Sequence, residues 1–303
     1  MDNTLGTIVV GIDGSAASNR ALHWAAERAA AEHRALTLAH VIPVNAPVYL
    51  GPGTVTLAEA RDALESSGRA LLEAAGRAVR EHAPDVAIHE VLEHADPAAF
   101  LVRRSDGAAM VVVGSRGRGP IRSKLLGSVS VRLVRQAHCP VVVVRPGGVG
   151  TVRNGVVVGL DALPESQPVL EFAYREAALR SLPLTVLHAV WSPPPGTLEA
   201  VYLPATPEDR ESELLALAES MAGMAEKYPD VRATSRLVDG RPGDLLVDVG
   251  ERMDLIVVGS HQPHGLERMF LGSVAVSVVE DATCPVAVVP VAPSHRPAVP
   301  HSG

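Results

Sequence analysis

Glycine, arginine and serine crowd into one stretch: Gly114-Ser115-Arg116-Gly117-Arg118-Gly119-Pro120-Ile121-Arg122-Ser123-Lys124-Leu125-Leu126-Gly127-Ser128-Val129-Ser130. These residue types at this spacing suit an anion. Glycines let backbone N–H groups approach a phosphate with no Cβ in the way. Arg116, Arg118 and Arg122 bring positive charge and bidentate donors. Gly127-Ser128 opens an amphipathic segment that ends near Ala137, and the first N–H groups of a helix lack intrahelical partners and favour negative charge. A βα turn carrying a solvated basic loop is the alternative reading of the same residues.

The elements that position this stretch follow from periodicity. The apolar run Ala108–Val113 feeds it, so a buried strand precedes the loop and a helix follows it. Towards the N-terminus, the spacing predicts a strand over Thr7–Ile12 ending in Asp13-Gly14-Ser15, a helix from Ser18 to His33, and a strand over Leu36–Ile42. It goes on with a loop over Pro43–Thr56, a long helix over Leu57–His82, a strand over Val86–Leu92, a short helix opened by Pro97 and running to Arg104, and a strand over Val141–Val144. Strands flanked by helices and apolar on both faces pair in parallel with helices on either side. Ligands in such sheets sit at strand carboxyl ends, where the strand order switches.

The chain also repeats itself. Val9-Val10-Gly11-Ile12-Asp13 returns as Val157-Val158-Gly159-Leu160-Asp161, and His40-Val41 as His188-Ala189, both 148 residues on. Val112-Val113-Gly114-Ser115 returns as Val257-Val258-Gly259-Ser260, Leu126-Gly127-Ser128-Val129 as Leu271-Gly272-Ser273-Val274, and Cys139-Pro140-Val141 as Cys284-Pro285-Val286, all 145 residues on. Landmarks in one order at nearly one offset mean two copies of one domain. The first copy is set at residues 1–146 and the second at 153–292, with a short Gly-rich linker (Arg145–Asn154) and a disordered tail over 293–303. Each copy is an α/β unit, a five-stranded parallel, doubly wound sheet flanked by helices.

The pattern Gly114-x-x-Gly117, nine residues, then Gly127-Ser128 resembles the ATP-binding signature of the universal stress protein family, and the likeness extends over essentially the whole chain. The resemblance implies an adenine nucleotide alpha hydrolase-like fold that holds ATP. It implies that Asp13 contacts the nucleoside, that Val41 meets the adenine through backbone groups, and that Gly114, Gly117, Gly127, Ser128 and Val129 hold ribose and phosphates. Ile12, Gly14, Ser15, Arg116, Arg118 and Ser130 complete the first site, and Asp161, Ala189, Gly259, Gly272, Ser273 and Val274 are what remains in the second. Asp13 and Ser128 also read as helix caps, Asp161 likewise, and Val41 as plain core. The second loop departs from the pattern: Gln262 stands where Gly117 stands in the first, His261 and Pro263 replace Arg116 and Arg118, and Glu267 adds a carboxylate. A bulky side chain and a negative charge oppose phosphate binding, so the first site is expected to bind ATP, with Mg²⁺ by charge balance, and the second to bind weakly, differently or not at all.

Composition sets outer bounds. At 303 residues with 47% hydrophobic side chains, the chain supports two cores, built from aliphatic residues because aromatics make up only 3%. A net charge of −7 argues against a general nucleic-acid binder. Lys124 and Lys227 are the only lysines and no P-loop motif occurs. No signal peptide and no membrane-length apolar run are read from the sequence, and two cysteines make no disulfide framework, so the expected location is cytoplasmic. Cys139 and Cys284 read as small buried hydrophobes, and His40 and His188 as strand-end core histidines before catalysts. His261, His264 and Glu267 read as solvated before metal-binding. No attacking group is evident, which favours an ATP-binding sensor or regulator in a stress response over an enzyme; a slow ATP hydrolase or transferase and a nucleotide-free interaction module are the alternatives. The resemblance further implies homodimerisation through the last strand of each domain. Here Val141–Val144 and Val286–Val289 can pair within the chain, with a regulatory protein of unknown identity as a further partner.

Overall fold

The computed structural model describes residues 5–44, 56–115, 126–147, 154–190, 207–260 and 272–291. In chain order these form β1 (Ile8–Gly11), α1 (Ala16–Glu32), β2 (Leu36–Ile42), α2 (Leu57–His82), β3 (Ile88–His94), α3 (Pro97–Arg104), β4 (Met110–Gly114), α4 (Ser128–Gln136) and β5 (Val141–Val144). The second copy follows as β6 (Val156–Gly159), a 3₁₀ turn (Pro164–Ser166), α5 (Gln167–Leu179), β7 (Leu184–Val190), α6 (Pro207–Lys227), β8 (Ala233–Asp239), α7 (Pro242–Gly250), β9 (Leu255–Gly259), α8 (Ser273–Asp281) and β10 (Val286–Val289).

The strands lie in the order β3-β2-β1-β4-β5-β10-β9-β6-β7-β8. Within each half every pairing is parallel, and the halves join antiparallel through β5 and β10, Val142 opposite Ala287. The intrachain pairing open to the last strands is therefore made, and two five-stranded sheets become one of ten. Alternate side chains along each strand feed opposite faces. Ile8, Val10, Met110 and Val112 pack with α1, α2 and α5 residues such as Ala25, Leu72 and Ala173. Val9, Val111 and Val113 pack on the other face with Phe100, Leu133, Leu246 and Val278. Each core runs across both halves.

Local chemistry sets the boundaries. Thr56 and Glu59 close a capping box at the start of α2, and Asp96 caps α3 ahead of Pro97. Helix α1 begins at Ala16, earlier than the expected Ser18, because Ser15 is its N-cap, accepting from the Ser18 N–H at 3.1 Å. Strand β3 lies at 88–94, two residues later than expected, since its half-exposed residues at the sheet edge give no sharp apolar limit. Arg145, expected in the linker, is buried: its guanidinium donates to the carbonyls of Ala282 (2.7 Å) and Glu280 (2.8 Å) at the end of α8 in the other half. Both cysteines are buried and neither is in a disulfide, and burial pushes the Cys139 thiol up to about 12.

Candidate functional site

In the N-terminal half the strand order switches between β1 and β4, which pair in parallel with Val10 beside Val112. Their carboxyl ends deliver Ile12-Asp13-Gly14-Ser15 and Gly114-Ser115 to one edge of the sheet. One turn, Asp13-Gly14-Ser15, governs the first of these ends. Gly14 holds a left-handed backbone, φ 77°, which costs glycine nothing. The Asp13 carboxylate accepts from the Ser15 N–H at 2.9 Å. Asp13 therefore braces the turn while Ser15 caps α1, so the cap reading open for Asp13 passes to Ser15.

Gly114 is required by packing. A Cβ there would lie 2.6 Å from the Ala17 carbonyl carbon, so the first turn of α1 rests directly on the end of β4. The missing side chain that sequence reasoning assigned to phosphate approach is taken up by this helix–strand contact. Ser115, buried and not singled out from the sequence, draws the ends of the Gly/Arg loop together: its N–H donates to Val144 (3.1 Å) and its carbonyl accepts from Gly127 (3.0 Å). Arg116, Gly117, Arg118 and Arg122 lie outside the described residues, as do His261, Gln262, Pro263, His264 and Glu267 of the second loop.

Helix α4 starts at Ser128 with Gly127 as N-cap, a residue with no side chain to bond the first N–H groups. Its first intrahelical bond runs from Val131 N–H to Gly127 (3.1 Å), so the N–H groups of Ser128, Val129 and Ser130 precede the hydrogen-bonded ladder and carry the positive end of the helix dipole. Ser128 is exposed, Val129 half-buried and Ser130 buried. The Ser130 hydroxyl donates to the Gly114 carbonyl at 3.0 Å, tying the helix to β4. Val41 is buried near the end of β2, where its strand pairs with β3. Just before it, the His40 Nδ1–H donates to the Ile12 carbonyl at 2.6 Å. That bond fixes the tautomer and binds β2 to the turn after β1, at a half-buried position and not in the core.

The second half repeats the frame with less polarity. His188 donates from Nδ1 to the Leu160 carbonyl at 2.7 Å, its Nε2 lies 3.1 Å from Glu213, and Gly272 N–H reaches the Ser260 carbonyl at 3.3 Å. Gly259 ends β9, Ala189 stands one residue before the end of β7, and α8 starts at Ser273-Val274 behind a Gly272 N-cap that again lacks a side-chain bond. Asp161, however, accepts from both Leu163 N–H (3.1 Å) and the Ser166 hydroxyl (2.5 Å), and Ala162 takes the left-handed conformation that Gly14 takes in the first half, φ 57°. Among the described residues no group of three or more His, Cys, Asp or Glu could hold a metal ion, and no helix is long and apolar enough to cross a membrane.

Comparison with known proteins agrees with the duplication. The model of the Universal stress protein family matches twice, at residues 4–145 and 153–290. A universal stress protein of Mycolicibacterium smegmatis is 36% identical over 295 residues, covering 93% of this chain and 96% of that protein. One of Mycobacterium tuberculosis is 37% identical over 290 residues, again covering 93% and 96%. The crystal structure of a universal stress protein from Archaeoglobus fulgidus superposes with a TM-score of 0.68 at 18% identity, covering 94% of this chain and 96% of that one, a likeness of fold. With two matches of the family model end to end and relatives similar along their length, this chain belongs to the universal stress protein family.

Proposed function

We propose that the N-terminal half binds ATP at the strand switch and that the protein acts as a nucleotide-dependent sensor or regulator of a stress response. One observation carries the reading: the N-terminus of α4, whose N-cap Gly127 brings no side-chain bond of its own, at the same end of the sheet as the polar turn at Asp13. Phosphates meet the N–H groups of Ser128, Val129 and Ser130 and the dipole behind them. Arg116 and Arg118 contribute positive charge, and Gly117 a backbone N–H with no Cβ beside it. Asp13 reaches the nucleoside, and Val41 offers backbone groups to the adenine. Mg²⁺ enters with the phosphates and offsets their charge.

The second half keeps the helix start but not the chemistry around it, and in this reading it holds nucleotide weakly or not at all. The absence of a positioned attacking group in the sequence favours binding over turnover. Both last strands are already paired with each other, so two chains associate, in this reading, through a different surface.

The test is calorimetric titration of the purified chain with Mg-ATP. One site per chain is expected, weakened about tenfold or more, or about 1.4 kcal/mol, by Asp13→Ala and left alone by Asp161→Ala. Two equal tight sites, or full affinity in the Asp13 variant, would overturn the assignment. Mass spectrometry of nucleotide released by denaturing freshly purified protein checks its identity.

A further inference from the structure

Where the two halves meet, α1 and α5 approach each other across the axis that relates the copies. That axis passes by Val142 and Ala287, equivalent positions that face each other in the β5–β10 ladder. The Arg28 guanidinium lies 2.8 Å from the Glu176 carboxylate, with the side chains 3% and 0% exposed. Residues 28 and 176 are 148 apart, the offset of the repeat in this region, so the buried contact joins the same position of the two copies with opposite charges. The inversion extends to the neighbours: Glu27 is matched by Arg175 and Glu32 by Arg180. Glu32 pairs with Arg28 at 2.6 Å, and Arg175 and Arg180 act electrostatically on both Arg28 and Glu176.

A position on a two-fold axis meets its own copy whenever two identical units associate. An N-terminal half docked on another N-terminal half would set Arg28 against Arg28, each keeping its own Glu32 but exchanging the facing carboxylate for a second guanidinium. Two C-terminal halves would set Glu176 against Glu176. Of the six charges, the observed pairing balances three against three; the first self-pair holds four carboxylates to two guanidiniums and the second the reverse. Buried ion pairs add little net stability over an apolar pair, while a buried charge facing its like is heavily penalised. Such a pair discriminates between partners more than it strengthens the correct one. Arg145 adds to the asymmetry: it crosses to the end of α8, whereas its counterpart 145 residues on is Pro290, which has no donor to return.

We propose that the inverted charges of α1 and α5, centred on Arg28 and Glu176, are a pairing code: they admit the complementary half of this chain to the β5–β10 surface and reject a second copy of the same half.

The code makes a prediction that ordinary stabilisation does not. In full-length chains carrying only Arg28→Glu, or only Glu176→Arg, every available pairing of halves, within or between chains, sets like against like. Mixed together, the two variants become complementary between chains. Each variant is unfolded in urea and refolded at about pH 8.5, above the range in which Glu176 takes up a proton, alone and in an equimolar mixture, one of the two isotopically labelled, and the species are weighed by native mass spectrometry. The mixture is expected to give at least about tenfold more mixed two-chain complex than labelled and unlabelled wild-type chains refolded together. The doubly reversed chain, R28E/E176R, is expected to match wild type in assembly state, at some cost in unfolding midpoint because residue 28 then repels Glu32. A mixture that forms no more mixed complex than wild type, whether the single variants fold alone or not, would overturn the proposal, as would a doubly reversed chain that pairs between chains more than wild type does.

Discussion

The two halves share a backbone and differ in what they hang on it. After the first strand of each, the chain turns through one left-handed residue, Gly14 or Ala162, and each first helix ends in another, His33 or Ser181. His40 and His188 make the same bond to the preceding turn, at 2.6 and 2.7 Å. The polar fittings diverge. Ser15 caps α1 directly; its counterpart Leu163 has no side-chain oxygen, and the second half reaches its helix through a 3₁₀ turn instead. Ser130 binds the end of β4, where its counterpart Ala275 has nothing to give. The frame of this fold is thus held by strand registers, left-handed turns and histidine bonds that tolerate loss of the serine side-chain bonds around them, and shape survives in a half that lacks those bonds.

The sharpest way to break the comparison is to strand a charge where the copies meet. Glu176→Ala leaves Arg28 buried without its facing carboxylate, and a loss of about 3–5 kcal/mol is expected, read from urea unfolding. R28L/E176L, which removes both charges, is expected to cost far less or nothing. Equal losses in the two variants would mean that packing, not charge, holds this contact.

Next in size are the glycines. Gly114→Ala drives a Cβ to 2.6 Å from backbone atoms of Ala17, which cannot move without lifting α1, and about 1–3 kcal/mol of stability is expected to go. Gly159→Ala meets only the Leu246 Cδ1 methyl at 2.6 Å, and Gly11→Ala, the matching site in the first half, meets Leu101 and Val113 at 3.3 Å. Thermal unfolding should rank the costs in that order, and a Gly11 variant as damaged as the Gly114 one would break the ranking.

A subtler probe is pH. Burial raises the Glu176 carboxyl from the ordinary 4.5 to about 7, against the opposing pull of Arg28. Between those values the folded chain holds a proton that the unfolded chain has released, so stability from this group grows as pH falls from about 7 towards 4.5 and is lost as pH rises through that window. Glu176→Gln should remove this part of the slope. If wild type and variant unfold with parallel pH profiles from pH 5 to 7, the carboxylate is ionised throughout.

Much of this was legible in the residues. The ends of Leu57–His82, Pro97–Arg104 and Val141–Val144 fall at the same residues in sequence and structure, because capping residues or an unbroken valine run mark them. The duplication gave the second half its elements and allowed the last strands to pair. Periodicity alone hides the meeting of Arg28 with Glu176: among the alanines of one helix, an arginine and two glutamates look like a solvated face. The signal was present nonetheless, in opposite charges at positions separated by the repeat offset. Nor did sequence separate the two uses of glycine at position 114, since close packing and ligand approach ask for the same missing Cβ.

The smallest expected effect tests whether the second half has paid for its drift at the turn itself. Ala162 keeps φ 57°, a conformation that places its Cβ against the following carbonyl at a cost of about 1 kcal/mol, whereas Gly14 holds the same turn free of that strain. Ala162→Gly removes the clash but also loosens the unfolded chain, which offsets part of the gain, so a stabilisation of no more than about 1 kcal/mol is expected. Gly14→Ala imposes the clash on the first half, with a loss of similar size. The pair is diagnostic because the sites occupy the same place in the same fold, so the unfolded-chain entropy term enters both with similar size and opposite sign, each time against the strain term. Opposite signs in denaturant midpoints would show that the left-handed turn belongs to the frame. A Gly14→Ala chain that keeps its stability but loses nucleotide would move that glycine from the frame to the site.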